Sequence, residues 1–244
     1  MRDSFRTAIG GGTVAGANGD FGGLRREINW DGVPNSLSDP NSLPANFFNV
    51  TSPRGVVLST PGTGFMVSAN AGEATAPLFG FPSDFQTFSA QKLFTAVNSN
   101  ITDVSFFLPG TATAATTSAF GLIFVDVEVA ETTRLQFFDS ENNLLFSRFA
   151  SVAGNQGLSF LGGIIETGEN QISRVRITSG LNTIVSNGVL GNQIDDVVVM
   201  DDFIYATPAT TTRSVPDAGA VGVLLSVSLV GLALVKRRVL ENVA

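Results

Sequence analysis

Carboxylates are the residues of this chain best placed to do chemistry. "RREINWDGVP" sets Glu27, Asn29 and Asp31 at alternate positions, so a strand there puts the three on one face and turns Ile28 and Trp30 to the other. "FVDVEV" places Asp126 and Glu128 in the same manner, and "VVVMDDFIYA" offers Asp201 and Asp202, one on each face of a strand. Two adjacent aspartates inside so apolar a run need compensation, because an unpaired buried carboxylate is costly. A Ca²⁺ ion with oxygen ligands from the first and last strands would supply it and tie the ends of the domain together. Pairing with Arg25, Arg26, Arg174 or Arg176 would supply it equally well.

Other chemistry is closed off by composition. The 244 residues contain no cysteine and no histidine, so the chain can build no disulfide, Ser-His-Asp triad or histidine-ligated zinc. Carboxylate, hydroxyl, amide and backbone groups remain, which suit a hard cation or a sugar surface. A glycosidase needs only two carboxylates, about 5 to 10 Å apart in a groove, so a polysaccharide-cleaving enzyme stays as the alternative to a non-enzymatic protein. Asp and Glu outnumber Lys and Arg by 21 to 14, which argues against a nucleic-acid partner. The glycines of "IGGGTVAGANGDFGG" follow no apolar strand and lack the ending of a phosphate loop.

The elements that must position these residues are strands. Short runs rich in Phe, Val and Ile, such as "VVLS", "GFMVSA", "VSFFLP", "FGLIFVDVEV", "RLQFFD", "LSFLGGII" and "ISRVRIT", alternate with Gly, Pro, Asn and Ser clusters. "FFDSENNLLF" reads as a hairpin around Asn142 and Asn143. Twenty Phe against one Trp and one Tyr point to a Phe-packed interior between two sheets. The fold predicted is an all-β sandwich or jelly roll over residues 20–208, behind a flexible Gly-rich segment at 1–19.

Beyond a Thr/Pro linker at 209–214, "AVGVLLSVSLVGLALV" is uncharged and ends at Lys236, Arg237 and Arg238. With Ala218 and Gly219 ahead of it the uncharged run has about eighteen residues and reaches about 27 Å as a helix, which just spans a bilayer core. The predicted transmembrane helix leaves the three cations in the cytoplasm, followed by a short tail at 239–244, and the large domain outside. Export of that domain needs a signal, and "MRDSFRTAIGGG" has no apolar core, so the expectation is a signal upstream of Met1.

Val215, Pro216, Asp217, Ala218 and Gly219, followed by this span and its basic cluster, resemble the PEP-CTERM class of bacterial sorting tails, in its VPDSG variant. Ala218 replaces the serine of that variant, and "VLENVA" extends past the cations. The resemblance implies an exported protein whose tail, residues 215–238, is recognised by an exosortase near the short motif, in bacteria that make exopolysaccharide biofilms. Phrases of the body, among them "REINWDGVP", "LSFLGG" and "VVVMDDFIYATP", resemble uncharacterised exported β-proteins. "DDFIYATP" is also similar to the last strand of calcium-bearing carbohydrate-binding jelly rolls, which implies a structural Ca²⁺ held by Glu27 with Asp201 or Asp202. The function expected is that of a surface or matrix protein, membrane-held or released after processing, with exopolysaccharide as a partner.

Overall fold

Runs of β-branched and aromatic residues closed off by turn formers fold as strands because their side chains pack well on a pleated surface. The structure, a computed structural model, describes residues 1–166, 171–185 and 196–210. In chain order its elements are helix α1 (Arg2–Ile9), strands β1 (Asp20–Phe21) and β2 (Arg25–Ile28), helix α2 (Phe47–Val50), then β3 (Val56–Ser59), β4 (Gly64–Val67), β5 (Phe94–Val97), β6 (Ile101–Phe106) and β7 (Ala119–Val125). There follow β8 (Arg134–Phe138), β9 (Leu144–Phe149), β10 (Leu158–Ile164), β11 (Arg174–Thr178) and β12 (Val199–Ala206).

These strands form two antiparallel sheets, an all-β sandwich. In the first, β12 is the centre: β7 runs along one edge of it, and β2 and β5 share the other. Strands β10, β1 and β4 flank β7, β2 and β5 in turn. The second sheet runs β3, β6, β11, β8, β9. Phenylalanine fills the space between. Trp30 lies flat on Phe94 with ring centroids 3.9 Å apart, and meets Phe48 and Phe203 edge-on. Such pairs add about 1 kcal/mol each beyond the area they bury.

The quoted strand runs all become strands, and the Asn142 hairpin closes with φ +65 at that residue. β5 escaped the sequence reading because four residues with an alanine among them carry little pattern. Two expectations need correction. Strand β7 stops at Val125, and Asp126 has φ +73, so Asp126 and Glu128 do not share a strand face. Residues 1–19 are not a free flexible segment, since they include α1 and belong to the same compact unit as the sandwich. The linker, the sorting motif, the apolar span and Lys236, Arg237 and Arg238 lie outside the described residues, apart from Ala209 and Thr210. Among the described residues no helix is long and apolar enough to cross a membrane.

Helix α1 is held on the outer face of the first sheet by one ring. Phe5 is buried against Ala119, Ile204, Ala206 and Phe160. The seat exists because Gly121 and Gly162 face each other across β7 and β10. A Cβ at Gly121 would come within 3.0 Å of the Phe5 ring and 2.8 Å of Phe160. On the other side of the site, the segment 88–92 is fixed from below. Asp31 accepts hydrogen bonds from the backbone N–H groups of Gln91 and Lys92, each 3.0 Å. The Lys92 ammonium, wholly buried, donates to the Val33 carbonyl (2.5 Å), the Ser38 hydroxyl (2.9 Å) and Asn35 Oδ1 (3.1 Å). Three acceptors meet its three protons, so the charge is solvated by the protein itself. Gly121→Val should undock α1 and cost about 2 kcal/mol by overpacking. Hydrogen exchange at residues 2–9 should rise sharply while exchange in β12 stays slow.

Candidate functional site

The site begins with an irregularity in the central strand. Against β7, Asp201 pairs with Ile123 and Phe203 pairs with Leu122, leaving Asp202 as the extra residue of a β-bulge. A bulge re-aims a side chain and breaks strict alternation. The two aspartates therefore do not split cleanly between faces as a regular strand would require. Asp201 turns to residues 88 and 89: its Oδ2 accepts from the N–H groups of Phe88 (2.7 Å) and Ser89 (3.1 Å), and its Oδ1 accepts from the Ser89 hydroxyl (2.9 Å) and the Asp202 N–H (2.8 Å). Four donors stabilise a carboxylate that is fully buried.

Asp202 faces a neighbour instead. Register between β12 and β2 pairs Phe203 with Ile28 and Ile204 with Glu27, so the first and last strands adjoin as the sequence implied. Glu27 and Asp202 line the same cavity. Between them stands Arg6, delivered by α1. Its guanidinium donates to Glu27 Oε1 (2.8 Å) and Oε2 (2.5 Å) and lies 3.7 Å from Asp202 Oδ2. Arg25 Nε adds a third bond to Glu27, 2.7 Å long. Asp202 Oδ1 is buried and has no hydrogen-bond partner.

The cavity is open and measures about 490 Å³. Arg2, Arg54, Asn29 and Ser89 also line it, with the rings of Phe21 and Phe88. A second cavity of about 420 Å³ shares Arg6 and Phe21 with the first. The two adjoin at Arg6 and Phe21 and form a divided trough beside α1. Arg2 lies over the Phe88 ring at 4.5 Å and Arg25 over Phe21 at 4.4 Å, so both rings are stiffened by cation–π contact. Burial, reinforced by the Asp201 charge, pushes the Asp202 carboxyl up to about 7, with the Ser89 hydroxyl and then Arg6 opposing and Glu27 adding to the rise.

Of the residues singled out in the sequence, the structure brings Glu27 and Asp202 together and turns Asp201 to a structural task. Asn29 joins the cavity, whereas Asp31 leaves its face because Trp30, at φ +64, swings the chain toward residues 91 and 92. Arg25 pairs with Glu27, Arg26 with Asp20, and Arg174 and Arg176 both with Asp103 in the other sheet. Both oxygens of Glu27 are taken by guanidiniums, and the positive charge between the strands is that of Arg6. Among the described residues no group of three or more acidic side chains is arranged to hold a metal ion. Asp126 lies elsewhere, buried, with its carboxyl raised to about 6 chiefly by that burial. Sequence reasoning missed Arg6 and Arg54. Arg2 and Arg6 stand one helical turn apart, a usable signal, while Arg54 between Pro53 and Gly55 gives none.

No protein-family model matches the sequence, and no curated protein matches it. Among solved structures, the chain is similar to a carbohydrate-binding module, TmCBM61, in complex with beta-1,4-galactotriose: 14% identity, 67% of this chain and 90% of the other covered, TM-score 0.29. A second is the enzymatically active domain of tailspike protein 4 of bacteriophage CBA120: 12% identity, 72% of this chain and 21% of the other covered, TM-score 0.24. Likeness at that level says nothing about what this chain binds.

Two outcomes follow from the charges. A carboxyl raised to about 7 contributes stability that is complete below its ordinary value of 3.8 and is lost as pH rises through 7. Asp202→Asn should therefore stabilise the chain relative to wild type at pH 8, by up to about 4 kcal/mol, with the gain vanishing near pH 4. Urea unfolding across that range reads it directly. Excess Ca²⁺ should leave the melting temperature unchanged, because Arg6 already holds the cation position. A rise that Asp202→Asn abolishes would show that Arg6 gives way to the ion.

Proposed function

We propose that this is a non-enzymatic surface or extracellular-matrix protein whose β-sandwich binds a polysaccharide in the trough beside α1. The observation that carries the reading is the make-up of the open cavity. A carboxylate with a free oxygen, guanidiniums, an amide and a hydroxyl converge with two phenyl faces in one concave site. Polyhydroxylated ligands present both donors and acceptors on an otherwise carbon-rich ring, and a few convergent polar groups of both kinds select them. The second cavity, adjoining at Arg6 and Phe21, offers room for a further unit and so favours a chain over a single sugar.

Residues 215–238 supply the address in this proposal. The motif at Val215, Pro216, Asp217, Ala218 and Gly219, the apolar span and the basic cluster support membrane insertion with the sandwich outside and processing by an exosortase-type enzyme. One observation favours a carboxylate-based glycan-cleaving enzyme instead: Asp202 is raised to about 7 beside a second carboxylate, as a general acid requires. Glu27 counts against it. Its oxygens are held by two arginines, which blunts it as a base or nucleophile.

Titration calorimetry of the full chain against a panel of soluble polysaccharides should show binding without release of reducing ends. Asn29→Ala should weaken it about tenfold, near 1.4 kcal/mol, with the melting temperature little changed, and Phe88→Ala should weaken it as much while also lowering the melting temperature, because its ring packs on a core cluster. Reducing ends that appear with wild type and vanish with Asp202→Asn would establish the enzyme. Mass spectrometry of the mature C-terminus should find Lys236, Arg237 and Arg238 removed.

A further inference from the structure

We infer that the cavity takes an acidic sugar unit, with Arg54 binding its carboxylate and Asp202 Oδ1 accepting a neighbouring hydroxyl. This rests on the glycan reading above and narrows it to uronate-bearing polysaccharides. Arg54 is half-buried at the cavity wall, and among the described residues no carboxylate pairs with it. Its Nε is buried without a hydrogen-bond partner. Arg2 and Arg6, the other guanidiniums of this wall, each have an acidic partner.

The position of Arg54 is built rather than loose. Its guanidinium stands 5.1 Å over the Phe48 ring, and that ring is locked in the core against Trp30. On the opposite side Gly19, at φ +64, leaves room: a Cβ there would come 3.1 Å from Arg54 Nε and 2.3 Å from the Glu27 carbonyl. The backbone is tied at both groups, with the Arg54 N–H donating to the Phe48 carbonyl (2.8 Å) and the Tyr205 hydroxyl donating to the Arg54 carbonyl (3.0 Å). Burial pulls the guanidinium down from its ordinary range, and the Arg26 charge pulls the same way against Tyr205. A cation is thus held in place with its charge uncompensated.

Asp202, 4% exposed, presents the opposite deficit in the same cavity. The two groups do not meet each other. A neutral sugar could give a hydroxyl to Asp202 and a neutral acceptor oxygen to Arg54, but no opposite charge. A bare inorganic anion could satisfy Arg54 and give nothing to Asp202. A sugar ring with a carboxylate and adjacent hydroxyls satisfies both, and Arg pairs with a planar carboxylate by two parallel N–H bonds.

The probes are polygalacturonate, alginate and hyaluronan, each beside its carboxyl-reduced neutral form, titrated calorimetrically into the full chain. At least one acidic polymer should bind ten-fold or more tightly than its reduced form. Arg54→Gln should abolish the preference, so that within the variant the acidic polymer binds no more tightly than its reduced form. The same substitution should hold or raise the melting temperature, since it removes an uncompensated charge, and so a folding failure is excluded in the same sample. Arg54→Lys should recover part of the affinity. Equal affinity for acidic and reduced polymers, or an Arg54→Gln variant that binds as wild type, overturns this inference while leaving glycan binding standing. No binding of any polymer, acidic or neutral, overturns both. Inorganic phosphate or free galacturonate competing as well as polymer would overturn the polymer as the source of the carboxylate.

Discussion

A carboxylate cannot sit in the middle of a sheet without something to hold its charge, and β12 carries two in succession. This strand is buried along its whole length and touches three partner strands. Everything at the site answers that constraint. Asp201 is neutralised by donors from residues 88 and 89, which fixes that segment over the sheet. Asp202 is displaced by the bulge toward β2, where Arg6 reaches it only because α1 is docked. The docking in turn depends on two facing glycines, Gly121 on the adjoining β7 and Gly162 on β10 beyond it. One electrostatic demand thus links the centre of the sheet, a surface helix and a connecting segment.

The chain meets such demands with its own cations. Arg6 and Arg25 hold Glu27, Arg174 and Arg176 straddle Asp103 across a strand, and Lys92 is caged by three neutral oxygens. Guanidinium suits this use because its fork satisfies two oxygens at once and it keeps its charge when buried. A chain without histidine and with two lysines in all relies on arginine to place positive charge inside its fold.

The sandwich was legible because strand formers and turn residues alternate in the sequence at the length of a strand, and because Phe has few roles other than packing at this density. The nearness of Glu27 and Asp202 was legible as far as first and last strands can be paired by their acids. The fate of Asp201 was not. A bulge is a matter of register, set by pairing between residues about eighty apart, and nothing local to "DD" announces it. Nor could the glycine-rich start show its helix: "RDSFRTAI" is short, and its one buried residue, Phe5, finds its seat only after β7 and β10 have paired. Arg54 illustrates the same limit, since its meaning lies in Phe48, Gly19 and Tyr205, none of which marks it in sequence.

What separates the site from the rest of the molecule is unfinished bookkeeping of charge. Several other described buried acids are paired or solvated by donors: Asp103 by two arginines, Asp196 by the N–H groups of Glu128 and Val129, Asp201 by four donors. A fold shaped for stability alone would treat Arg54 and Asp202 alike, by letting them meet or by replacing both with apolar groups, which is often the more stable solution. Here each is held by a rigid frame with one polar atom unmatched, Arg54 Nε and Asp202 Oδ1, on the wall of the same open cavity. The cost of two undersatisfied groups is borne by the surrounding packing, and a ligand with the complementary pair of groups, as proposed above, would offset it.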